Sequence, residues 1–185
     1  MATEAERLLP TARQAGSTYR IAVVCLGNIC RSPIAEVVLT RKIAQAGLAG
    51  EVSVVSAGTG DWHVGQPMDR RAAVVLTARG YDPSLHRAAQ FGPDRVADCD
   101  LVLAMDQQNL SDITDLSHGV DEQRARVRLF RDFDPLADDT DRDVPDPYYG
   151  ADDGFDSVVA MVERTADALV RALGSMTTAT GEART

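Results

Sequence analysis

The chain has 185 residues, of which 44% are hydrophobic and 25% charged, with a formal net charge of −9. That size and balance fit one globular domain able to bury its own core, and the acidic excess argues against nucleic acid or an anionic membrane surface as partner. No apolar stretch approaches the ~20 residues that span a bilayer. The start, MATEAERLLPTAR, lacks the long apolar run of a signal peptide. Three cysteines, Cys25, Cys30 and Cys99, are too few and too odd in number for a secreted disulfide framework, so a reducing, cytoplasmic location is expected.

Taken in chain order, residues 1–18 are rich in Ala, Glu, Arg and Thr without periodicity and read as a flexible N-terminal extension. Residues 21–26 form a short, β-branched run of the kind that makes a buried strand. Ser32 is a good N-cap and Pro33 suits a first helical position, which predicts a helix from there to about residue 46, before Gly47. A second strand is expected over 52–56, a helix over 68–79 stopped near Gly80, and a third strand over 101–105. Gln107–Leu116 reads as a weaker helix and 127–130 as a fourth strand. The acidic loop 132–153 is long for a compact domain, and such loops are often functional.

The clearest helix spans 155–173. Phe155, Val158, Val159, Val162, Ala166, Leu169, Val170 and Leu173 fall on one arc at 3.6-residue spacing. Residues 175–185 read as a disordered tail. Strands alternating with helices predict an α/β three-layer sandwich, with a central four-stranded parallel sheet covered by helices on both faces. In such sheets ligands bind beyond the carboxyl ends of the strands, and Cys25 stands at such an end.

The segment from Cys25 to Ser32 combines a nucleophile with anion-binding groups. The first N–H groups of the following helix lack intrahelical partners, and they attract negative charge together with the helix dipole. Arg31 adds a planar fork that takes two phosphate oxygens at once. Gly27 allows a tight turn, Asn28 tolerates left-handed backbone and can brace the loop, and Ser32 can donate to the sulfur. A cysteine so surrounded is expected to be a thiolate near neutral pH. A cysteine ending a buried strand can equally be a small core residue; the preceding strand, loop glycine, Arg-Ser pair and Pro-started helix together favour the chemical role. The loop has no Gly-Lys-Ser/Thr ending, and no Cys-x-x-Cys pair or His cluster accompanies it, so neither metal nor cofactor is expected.

The segment VCLGNICRSP resembles the phosphate-binding loop of the low-molecular-weight protein tyrosine phosphatases. The likeness continues in SAGTGDWHVGQPMD (56–69), HRAAQ (86–90), LAMD (103–106) and VPDPYYG (144–150), and it covers residues 19–174 as a phosphatase domain. The resemblance implies a phosphocysteine intermediate on Cys25, phosphate held by Arg31 and the loop, and Asp146 as general acid between its two prolines. It puts Leu26 and Ile29 in apolar contact with substrate, and Trp62 and His63 in one pocket wall. Tyr148 and Tyr149 would line a slot for a flat aryl group. His86 would hydrogen-bond Asn28, with Ser56 in the same supporting shell. Cys30 would trap oxidised Cys25 as a reversible disulfide.

Asp132, Asp134, Asp138, Asp139, Asp141 and Asp143 have no such match and read as solvent-facing, and Cys99 as a buried small residue. The expected partners are phosphotyrosine-containing proteins, met by a monomer without nucleic acid or membrane. Three alternatives share the loop. An arsenate reductase needs further relay thiols. A protein-arginine phosphatase tends to carry Thr at the place of Ile29 and to lack the Tyr pair. A phospho-ligand binding module without activity would typically have lost Cys25, Arg31 or Asp146.

Overall fold

The computed structural model describes residues 2–117, 119–150 and 153–182. Strands β1 (Tyr19–Cys25), β2 (Val52–Gly58), β3 (Leu101–Ala104) and β4 (Val127–Leu129) form one parallel sheet in the order β2-β1-β3-β4. These are the four runs expected from sequence, with their ends shifted by a residue or two. Side chains alternate between two cores. Ile21, Val23 and Cys25 face the layer that holds α2 (Arg31–Gln45), α3 (Arg70–Ala78) and α7 (Asp153–Glu182). Ala22 and Val24 face the opposite layer, with Phe91, Val96 from α4 (Pro93–Asp98) and Ile113 from α5 (Gln107–Leu116). Each fully buried Leu or Phe in these layers contributes about 1.5–3 kcal/mol. Leu39, Leu103, Leu169 and Phe155 are such residues.

β1 is central, with β2 on one side and β3 on the other, so the chain winds away from it in both directions. Its carboxyl end is therefore the point where a crevice opens.

The residues before β1 depart from the sequence reading of a flexible extension. A short helix α1 (Glu4–Leu8) is capped by Thr3, and Ala5, Leu8 and Leu9 pack on the core. Beyond it, Tyr19 donates its hydroxyl to the Pro10 carbonyl at 2.9 Å. The buried Asp100 carboxylate accepts from the backbone N–H groups of Arg13 and Arg20, both at 2.7 Å. Arg126 donates to the Thr11 carbonyl at 2.8 Å. The partners of Asp100 and Arg126 lie 80 to 115 residues away along the chain, which is why local composition does not show them. At the other end α7 continues to Glu182, where the sequence predicts a disordered tail from 175. Met176 extends the apolar stripe one turn past Leu173 and packs against the core. Residues 183–185 of that tail lie outside the described residues.

Ser32 is not the N-cap of α2. Cys30 occupies that position without a side-chain cap, and the helix starts at Arg31. The first-turn N–H groups are thereby left without a side-chain partner, and the Ser32 hydroxyl turns toward the loop instead. α3 begins after Asp69, whose carboxylate caps the Arg71 N–H, and α5 has the limits expected from sequence. α4 and the four-residue α6 (Asp121–Arg124) went unforeseen because neither carries an apolar stripe.

The acids of the long loop are not uniformly solvent-facing. Asp134 is buried and accepts from Arg131 at 3.1 Å and from Arg164 at 2.7 Å. Burial alone would raise its carboxyl, but the two guanidiniums and the Leu136 N–H hold it at about 2. Asp132 accepts from the Leu129 N–H, and Asp143 from the Gln107 N–H. The loop is thus tied down by charge pairs, and Val144 donates to the Met105 carbonyl at 2.7 Å beyond β3. That tether brings Asp146 to the crevice.

Candidate active site

Cys25 ends β1 and is 3% exposed. Its Sγ lies 3.0 Å from the Ser32 Oγ and accepts from the Asn28 backbone N–H at 3.3 Å. The turn that brings this N–H to the sulfur has its left-handed residue at Asn28, φ 55°, rather than at Gly27. Gly27 serves another purpose, because a Cβ there would stand 3.0 Å from the His63 ring. Gly58 closes the loop from below, where a Cβ would come within 2.7 Å of the Leu26 carbonyl oxygen.

The strained backbone at Asn28 is held by a full set of bonds. Its amide donates to Ser32 Oγ at 2.9 Å and to Ser56 Oγ at 2.8 Å, and its Oδ1 accepts from the Ala89 N–H at 2.8 Å. His86 Nε2 meets the Asn28 carbonyl at 2.8 Å. Glu36 joins the group, accepting from Ser56 Oγ at 2.6 Å and standing 3.5 Å from His86 Nδ1. Ser56 and His86 therefore stand around the loop, while Glu36 was not picked from sequence.

Arg31 is almost fully buried. One terminal nitrogen contacts Asp106 Oδ2 at 2.5 Å and donates to the Val144 carbonyl at 3.2 Å; the other contacts Asp146 Oδ2 at 3.0 Å. Burial pulls against the charge on the guanidinium, but Cys25 and the two carboxylates outweigh it and strengthen its hold on the proton. Asp106 also caps α5 through the Asn109 N–H. In the sequence, LAMD (103–106) carries only the family likeness and gives its acid no role. An acid directly after a buried strand in an α/β sheet was the signal available.

Asp146 opens a short 3₁₀ turn (Pro147–Tyr149) and accepts from the Tyr148 N–H at 3.0 Å. Its side chain is 34% exposed, so it lies at the mouth rather than the floor. A cavity of about 310 Å³ opens here, with Cys25, Gly27, Cys30 and Arg31 at its walls together with Asp146. Leu26, Ile29, Trp62, His63, Tyr148 and Tyr149 complete the lining, so every pocket residue picked from sequence reaches it except Asn28 and Ser32, which lie behind the loop. Trp62 and Tyr149 are largely exposed, and the two tyrosine rings meet edge to face at 4.9 Å.

Burial, reinforced by the charges of Asp69, Cys25 and Asp146, pushes the Cys30 thiol well up. Among the described residues no group of three or more His, Cys, Asp or Glu is placed to hold a metal ion. None of their helices is long and apolar enough to cross a membrane. A larger cleft, about 900 Å³, lies at the opposite end of the sheet beside Tyr19 and Ala172. The described residues that line it include no cysteine or arginine, so it offers neither a nucleophile nor an anion clamp.

The arrangement pairs a sulfur among N–H and O–H donors with a buried guanidinium and a half-exposed carboxylate. Such a set of groups suits an anion bound beside the sulfur. Residues 20–178 match the family model for low molecular weight phosphotyrosine protein phosphatase. The chain is 44% identical over 156 residues to a low molecular weight protein-tyrosine-phosphatase of Streptomyces coelicolor, covering 84% of this chain and 94% of the relative. It is 47% identical over 143 residues to low molecular weight protein-tyrosine phosphatase A of Mycobacterium tuberculosis, covering 77% and 84%. Among solved structures, a protein tyrosine phosphatase of Entamoeba histolytica with Hepes in its active site superposes with a TM-score of 0.80 at 31% identity, covering 86% of this chain and 99% of that one.

Proposed function

The chain belongs to the low molecular weight phosphotyrosine protein phosphatase family, and from that membership and the geometry around Cys25 we infer that it hydrolyses phosphotyrosine through a phosphocysteine intermediate. The observation that carries this reading is the convergence of Cys25, Arg31 and Asp146 on one small cavity. The phosphoryl oxygens take the loop N–H groups and the Arg31 fork, displacing the Asp146 oxygen that now shares it. The Cys25 thiolate attacks phosphorus while Asp146 gives its proton to the departing phenolate, so a P–S bond forms as the P–O bond breaks. Asp146, now ionised, takes a proton from water as that water attacks phosphorus. Inorganic phosphate leaves and the thiolate returns. The Ser32 hydroxyl, 3.0 Å from the sulfur, can stabilise the thiolate in both steps.

Hydrolysis of p-nitrophenyl phosphate tests the reading. Turnover is expected, stopped by vanadate and unaffected by a chelator. No turnover with retained phosphate binding would instead favour a phospho-ligand binding module. Phosphotyrosine peptides are expected to be hydrolysed and phosphoarginine peptides to be poor substrates. An arsenate reductase is disfavoured by Cys99, which is buried ahead of β3, at the end of the sheet away from Cys25.

The same loop supports redox control. Peroxide oxidises the Cys25 thiolate to a sulfenic acid and is itself reduced to water. Attack by the Cys30 sulfur then expels water and leaves a Cys25–Cys30 disulfide. Burial pushes the Cys30 thiol up, so Cys30 is not the sulfur that peroxide oxidises first. Activity lost to peroxide is expected to return with dithiothreitol. A Cys30→Ser variant that lost and regained activity equally well would remove the basis for this proposal.

A further inference from the structure

Asp146 reaches the crevice on a loop, and a proton donor must be held to within a fraction of an ångström of its target to be useful. One side chain outside the pocket lining ties that turn to the phosphate loop. Asp69 donates its backbone N–H to the Ile29 carbonyl at 2.8 Å, which fixes the start of α3 to the loop that carries the sulfur. The Asp69 carboxylate then grips Arg71 with both oxygens, Oδ1 to Nε at 3.2 Å and Oδ2 to a terminal nitrogen at 3.1 Å. That terminal nitrogen also donates to the Tyr148 carbonyl at 3.3 Å, in the same 3₁₀ turn whose first N–H is bonded by Asp146. The guanidinium lies 5.5 Å from the centre of the Tyr148 ring and 4.8 Å from that of the buried Phe155 of α7. Burial acts to raise the Asp69 carboxyl, but Arg71 outweighs it and holds the carboxyl below its usual range, so the pair is ionic under ordinary conditions.

We propose that Arg71 is a positioning residue for proton transfer, setting the acid-bearing turn at a fixed distance from the phosphate loop; this rests on the reading of Asp146 as the proton donor. Arg71 is not among the residues that line the cavity at the sulfur. It acts through four groups at once: a carboxylate anchored to the loop, a carbonyl of the acid turn, and the rings of Tyr148 and Phe155. A planar fork can satisfy all four, whereas an ammonium is a point charge that cannot.

The test separates positioning from stability by the leaving group. kcat/KM reports only the steps up to release of the phenol. Tyrosine, with a phenol pKa of about 10, needs the proton, whereas a dinitrophenolate leaves without one. Arg71→Ala is expected to lower kcat/KM for a phosphotyrosine peptide by roughly 10–10²-fold and to change that for 2,4-dinitrophenyl phosphate little. Arg71→Lys, which keeps the charge and guards against a variant that fails to fold, is expected to restore only part of the loss. In an Asp146→Ala background, Arg71→Ala should lower the phosphotyrosine value little further, because the group it positions is gone.

Equal losses on both substrates, full rescue by lysine, or full additivity with Asp146→Ala would each overturn the proposal and leave Arg71 a structural residue. If Asp146→Ala itself failed to discriminate between the two substrates, the acid assignment would fall, a different outcome from failure at Arg71.

Discussion

Cys25→Ser is expected to reduce phosphotyrosine turnover by on the order of 10⁴-fold or more, the scale seen when a nucleophile is removed from a site that cannot replace it. The surroundings of the sulfur explain why serine cannot substitute. Its near neighbours are the Asn28 N–H and the Ser32 hydroxyl, groups that stabilise a negative charge. Among the described residues no imidazole or carboxylate is bonded to the sulfur to draw a proton from a hydroxyl, and a serine oxygen stays protonated near neutral pH. The binding half of the site is separate. Arg31 and the loop N–H groups do not depend on sulfur, so the variant should still bind inorganic phosphate in a calorimetric titration. Turnover by Cys25→Ser within roughly 10²-fold of the unmodified protein would remove the phosphocysteine route.

Asp146→Ala is expected to cost 10²- to 10⁴-fold in kcat/KM for phosphotyrosine, the usual worth of a positioned acid. Asp146 Oδ2 shares the Arg31 fork, 3.0 Å from one terminal nitrogen. Its removal frees that nitrogen, while Asp106 continues to hold the other. Phosphate affinity is therefore expected to be retained or to rise even as turnover falls. That opposition is the signature to measure, with steady-state kinetics beside phosphate titration. It also makes the variant a suitable bait for trapping phosphoproteins. Near-normal activity on phosphotyrosine would show that the proton comes from elsewhere.

The two halves of the site differed in how far sequence could reveal them. The sulfur, the loop and the guanidinium lie within seven residues, between a strand and the start of a helix. The chemistry of that short segment follows from residue types and backbone preferences alone. Asn28 takes the left-handed backbone and braces the loop as its residue type suggests, while one detail needed coordinates: Ser32 bonds the loop instead of capping the helix. Asp146 stands out among the 28 acidic residues through Pro145 and Pro147 on either side of it, but the role of general acid came only from the family resemblance. Asp134 illustrates the same difficulty. It sits among other acids in sequence yet is buried, because Arg164 reaches it from 30 residues downstream.

By itself, the sequence determined the four strands, the longer helices, the alternating α/β order, and a cysteine beside a turn of anion-binding residue types. These depend on near neighbours: periods of two and 3.6 residues, helix caps, and a strand running directly into a loop. Only the tertiary structure decided what surrounds that turn. Asp106 meets Arg31 across 75 positions and Asp146 meets it across 115, while Glu36 joins Ser56 and His86, and Arg71 reaches the acid turn from α3. It also decided that the residues before β1 pack against the core rather than trail from it. The physical reason is the same in each case. An ion pair or a buried carbonyl gains its partner from packing of the sheet and helices, and the energy of that meeting leaves no trace in the composition of either segment.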